Sequence, residues 1–97
     1  MIFGWHEGKR LYVLEDRSID FEDMVAIFDG RPRLTAASPQ KGEDRFVSVG
    51  EINGKFFAVV WMWREETIWI VTARRARARE EQAYRKLLTE QDNDRED

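Results

Sequence analysis

Hydrophobic and polar positions change period several times along this chain, and each change marks an element. Ile2-Phe3-Gly4-Trp5 reads as a short strand that Glu7-Gly8 breaks. Leu11-Tyr12-Val13-Leu14 is a continuous apolar run, compatible with either a strand or a buried helix over residues 9–17. Ser18 or Asp20 can offer a side-chain oxygen to the free amides of a first helical turn. Phe21, Met24, Val25 and Phe28 then follow at i, i+3, i+4 and i+7, an amphipathic helix that Asp29-Gly30-Arg31-Pro32 stops. A short edge strand around residues 33–36 runs into a polar loop reaching Pro39 and Gly42. Residues 45–50 read as a strand. Asn53-Gly54 tolerates positive φ at both positions and suits a two-residue type I′ hairpin. Residues 56–64 form the most hydrophobic strand, and residues 68–73 pair with it after a tight turn at Glu65-Glu66. A last helix over 76–88 carries Ala76, Ala83, Tyr84, Leu87 and Leu88 on one face. The order predicts an α+β domain in two layers: an antiparallel three- to four-stranded meander, N-terminal helices and a C-terminal helix. It occupies residues 1–90, followed by an acidic, fraying tail over 91–97.

Composition narrows the chemistry. Ninety-seven residues surround one core. Cysteine is absent and His6 is the only histidine, so disulfides and thiolate-held metals drop out, and no metal or other cofactor is expected. No apolar run approaches membrane-spanning length and no leader pattern opens the chain, which predicts a cytoplasmic protein without a membrane partner. Net charge is −3, yet residues 72–86 carry six basic and two acidic groups between acidic flanks. That concentration points to a local anion site and not to a broad nucleic-acid surface.

The basic segment begins where a β-branched run ends. Thr67-Ile68-Trp69-Ile70-Val71-Thr72-Ala73 leads into Arg74, Arg75, Arg77 and Arg79, with Glu80 and Tyr84 four residues apart on the following helix. Arginine forks match phosphate oxygens, although a solvated first helical turn has the same composition. Glu80 on a largely apolar helix face needs a partner, and Arg74 or Arg75 can supply it as a tether between helix and sheet. Alternation places Trp61 and Trp63 on one face of their strand. With Trp69 they offer aromatic surface for a protein partner, or, at Trp69, for a stacked base.

Ile68-Trp69-Ile70-Val71-Thr72-Ala73-Arg74-Arg75-Ala76, then Glu80 and Tyr84, resembles the BrnT ribonuclease toxins of bacterial type II toxin–antitoxin pairs. Phe3-Gly4-Trp5 with Lys9, Phe21-Glu22 with Val25 through Asp29, Glu43-Asp44-Arg45-Phe46 with Gly50, and Val59-Val60 with Arg64 match further pieces in order, over roughly residues 2–85. The resemblance implies a RelE-like fold, a helix over 9–17, and a metal-independent endoribonuclease that cleaves RNA by 2′-hydroxyl attack. Its implied catalytic set is Arg74, Glu80, Tyr84 and Arg64, with Lys9, Arg75, Arg77 and Arg79 on the RNA backbone. It also implies a cognate antitoxin of ribbon-helix-helix type. Hairpin pairing of 58–64 with 68–74 would, however, separate Arg64 from Arg74 by on the order of 20 Å, and the Asn53-Gly54 turn would bring Arg45 opposite Met62. The chain departs from the family pattern at His6, Val13, Asp16 and Arg17. Those departures keep a second function open: a catalytically silent RelE-like module that binds an antitoxin.

Overall fold

The computed structural model describes residues 1–38 and 44–95, with side chains through residue 90. The predicted loop at Pro39 and Gly42, the matched Glu43, and the side chains of the 91–97 tail lie outside the described residues. The elements are β1 (Ile2–Trp5), α1 (Glu7–Arg17), α2 (Phe21–Met24) continuing as a 3₁₀ turn (Val25–Phe28), β2 (Leu34–Ala37), β3 (Arg45–Ile52), β4 (Lys55–Arg64), β5 (Thr67–Arg75) and α3 (Ala78–Arg95). The α+β class stands, but the sheet is larger than the predicted meander. Five strands run in the order β1-β5-β4-β3-β2, and β1 joins parallel to β5 while the other pairs are antiparallel. A four-residue strand with no hairpin partner carries no sequence signal for its neighbour, so this parallel edge was not predictable.

Residues 7–17 are helical because both ends are capped. His6 Nδ1 accepts from the Lys9 amide at 3.2 Å, and Ser18, at φ 58°, returns its N–H to the Leu14 carbonyl. The Leu11–Leu14 run buries only Val13. Asp20 caps α2 through the Glu22 amide at 3.0 Å and also takes a two-point grip from Arg10 at 2.8 and 3.1 Å. The Asn53-Gly54 hairpin forms as predicted, with φ 51° and 79° between the paired Ile52 and Lys55.

Two cores lie on opposite faces of the sheet. On one, Val13, Phe21, Met24, Ile27 and Phe28 pack on Phe57, Val59, Trp61, Ile68, Ile70 and Ala73. On the other, Tyr84 and Leu88 of α3 pack with Val49, Phe56, Ala58, Leu34 and Val47. Helices therefore cover both faces, giving three layers where two were expected. Gly50 permits a close approach of the 3₁₀ turn to the sheet: a Cβ there would meet Ile27 Cγ2 at 3.0 Å.

Candidate anion site at the sheet-to-helix junction

The position of Arg74 depends on a β-bulge. Val60 pairs with Thr72 but Trp61 pairs with Ile70, so Val71 is an extra residue on β5. Plain alternation would put Arg74 on the face of Ile68 and Ile70. The bulge shifts the phase: Ala73 joins Val59 in the α1-side core, and Arg74, opposite Ala58, turns to the α3 side.

There Arg74 meets Glu80. The guanidinium donates to both carboxylate oxygens, at 2.7 and 2.9 Å, and the same carboxylate accepts the Arg77 amide at 2.8 Å. Glu80 is thus the third residue of α3 reaching back to the residue before its start, the carboxylate half of a capping box. The Arg74 guanidinium, more than the Arg77 amide, holds the Glu80 carboxyl below its ordinary range and raises Arg74 in return. Arg77 and Arg79 are exposed on the first turn of α3, where the helix dipole disfavours cations and Glu80 and Glu81 offset it. Arg79 and Glu80 also border a cavity of about 210 Å³ with Leu34, Ala36, Val47 and Ala83. Arg75, one residue beyond Arg74, turns to the opposite face, 5.4 Å from the Phe57 ring, and donates to the Phe56 carbonyl at 3.3 Å. β1 ends opposite Ile70, so the outer edge of β5 is open beyond it, and Arg17 fills part of it by donating to the Ala73 carbonyl at 2.9 Å.

The rest of the predicted set is dispersed. Tyr84 is 3% exposed, packs edge-on against Phe56 and donates its hydroxyl to the Pro32 carbonyl at 3.2 Å. Burial raises its pKa. Arg64 pairs with Thr67 at the far end of the hairpin from Arg74, which sits opposite Ala58. The two therefore do not share one phosphate. Lys9 is on α1, across the sheet from Arg74, with its ammonium 5.9 Å from the Tyr12 ring.

The three tryptophans do not form one partner surface, which corrects that expectation. Trp61 is 4% exposed, buried among Phe28 and Phe46, and donates to Ser48 Oγ at 2.8 Å. Trp63 is 51% exposed on the same side of β4. Trp69 is half-buried on the α3 side, beneath the Arg64 guanidinium. Arg45 does sit opposite Met62, as the hairpin register required. Sequence reading missed Gly4, whose missing Cβ makes room for the Trp69 ring. A glycine alternating with two aromatics in β1 was the available signal. Arg17 as an edge cap had none.

Among the described residues no group of three or more His, Asp or Glu side chains is placed to hold a metal ion, and no helix is long and apolar enough to cross a membrane. No curated protein matches the chain. A family model does match, over residues 5–80, and it spans β2 to β5, the bulge and the Arg74–Glu80 pair. The family is described as ribonuclease toxin, BrnT, of type II toxin–antitoxin system, and the chain belongs to it.

Proposed function

We propose that the chain is a metal-independent endoribonuclease acting on single-stranded RNA at Arg74. A ribose 2′-oxygen attacks the adjacent phosphorus, the bond from phosphorus to O5′ breaks, and the products are a 2′,3′-cyclic phosphate and a 5′-hydroxyl. The 2′-hydroxyl gives up its proton and the leaving O5′ gains one, while negative charge builds on the phosphorane between. The observation that carries this reading is a guanidinium aimed by two hydrogen bonds at the rim of a half-open sheet face. Such a group can stabilise the phosphorane through the N–H groups that Glu80 leaves open. Glu80 is the one carboxylate bonded to Arg74 among the described residues, and it is the base this reading offers. Its low pKa makes it a weak base, so most of the acceleration falls to Arg74. Tyr84, sealed against Pro32, supports α3 from below.

The test is cleavage of an RNA oligonucleotide by the purified protein. Activity should persist in EDTA, stop when the nucleotide at the cut carries 2′-deoxyribose, and leave cyclic phosphate ends. Arg74→Ala should lower the rate about 10²–10³-fold with the fold intact. A strict metal requirement or a 3′-hydroxyl product would overturn the mechanism.

A type II toxin–antitoxin family implies an antitoxin partner. In this reading it is a ribbon-helix-helix protein that meets the toxin in the cytoplasm and anchors on exposed aromatic surface, Trp63 foremost. One observation favours a second reading, the silent antitoxin-binding module: Glu80 already accepts from both terminal nitrogens of Arg74. A protein that binds the neighbouring gene's product tightly yet leaves every RNA intact, at verified folding, would decide for it.

A further inference from the structure

α3 packs over β2, β3 and the start of β4, and leaves the rest of that sheet face half-open. The uncovered part carries Val60, Met62 and Trp69, which belong to neither core. By register and alternation its charged strand residues are Arg45, Arg64 and Arg74, all cations. Trp69 lies between two close neighbours. The Arg64 guanidinium carbon is 4.0 Å from its ring centroid, and the ring rests over β1 at Gly4, where a Cβ would come within 2.9 Å of Cε3 and 3.0 Å of Cζ3. Any side chain at position 4 would displace the indole. The result is a cationic stack seated on bare backbone, with Arg74 farther along the same hairpin.

We propose that the Arg64–Trp69 stack is a nucleobase subsite for single-stranded RNA, remote from the phosphate held at Arg74. The inference rests on the ribonuclease reading and adds where the strand runs. A guanidinium backed by an indole offers a surface on which a base can stack, and its N–H groups can donate to backbone phosphates. From Trp69, opposite Met62, to Arg74, opposite Ala58, the ladder spans on the order of 13 Å at ~3.3 Å per residue, so a strand that reaches from the stack to Arg74 needs more than one nucleotide. The occupied footprint is a strand of several unpaired nucleotides, bound across β5 in an extended path. All three cations on this part of the face suit a polyanion.

Binding of a non-cleavable 2′-O-methyl oligonucleotide to the intact protein tests the subsite without relying on cleavage. Trp69→Ala should weaken an octanucleotide about 5- to 150-fold, and Trp69→Tyr should restore most of the loss. Should Trp69→Ala fail to fold, the unaltered protein can be photo-crosslinked to the same oligonucleotide bearing 4-thiouridine, and an adduct on the peptide holding Trp69 supports the subsite. Full octanucleotide affinity in folded Trp69→Ala, or adducts confined to residues 74–79, would overturn it. An inactive protein that still binds RNA through Trp69 would fail the nuclease reading and keep the subsite.

Discussion

Glu80 joins strand, turn and helix through one carboxylate, because Arg74 and the Arg77 amide both converge on it. Its folded pKa is lowered, first by the Arg74 hydrogen bonds, and that of Asp20 is lowered, first by Arg10. A carboxylate with a depressed folded pKa stabilises the fold fully above its unfolded value, 4.5 for Glu80 and 3.8 for Asp20. That share is lost as pH falls through the lower folded value. The melting temperature should therefore be flat above about pH 5 and fall below about pH 4, and Glu80→Gln should make the fall shallower. A melting curve that rises on acidification would contradict both pairings. Tyr84 separates structural from chemical roles. Tyr84→Phe keeps the ring against Phe56 and removes one hydrogen bond to Pro32, so it should cost about 0.5–1.5 kcal/mol in denaturant unfolding. Cleavage by Tyr84→Phe should stay within a few-fold of the parent. A loss of 10²–10⁴ would instead return Tyr84 to the catalytic set that the resemblance implied.

At the scale of elements, caps and register decide what hydrophobic pattern leaves open. Asp20 serves α2 as cap and Arg10 as counter-ion, and the two services can be separated. Asp20→Ala should destabilise by about 1–2 kcal/mol, while Asp20→Asn, which keeps a capping oxygen, should recover much of that. Equal losses for both would place the whole effect in the ion pair. The sequence made the amphipathic stripe of residues 21–28, the Asn53-Gly54 turn and the β3–β4–β5 ladder legible, because each is local and each has a strong residue signal. It did not show that the stripe tightens to 3₁₀ geometry at Val25, since both helix types bury the same residues. The last helix starts at Ala78, after the expected Ala76, and runs on to Arg95, past the expected end at Leu88. The Val71 bulge left no mark in the alternation, yet it decides which face Arg74 serves. Pairing between Arg74 and Glu80 was readable from charge on an apolar helix face. The burial of Trp61 was not, because a tryptophan next to an exposed one on the same strand face has the same sequence signature.

For the whole molecule, an anion-binding role has to work against a net charge of −3. The acidic groups concentrate in residues 1–30 and 87–97, and the positive charge gathers around β5 and the start of α3. Association with RNA should then depend on a few local cations and not on the overall field. Arg45, Arg64 and Arg74 share the open part of the sheet face, and Arg77 and Arg79 stand at its edge. For single strands, log Kobs falls with log salt by about 0.7 for each phosphate neutralised. Engagement of three to five of these arginines predicts a slope between about −2 and −3.5 for a non-cleavable octanucleotide, in the same sense of counterion release. Arg64→Ala should make that slope shallower by about 0.7, and adding its lost stacking on Trp69 should lower affinity even at high salt, where phosphate contacts are screened. A slope near zero would mean that phosphates are not held here. One much steeper than −3.5 would require cations outside this face, and would move the RNA path off β5 altogether.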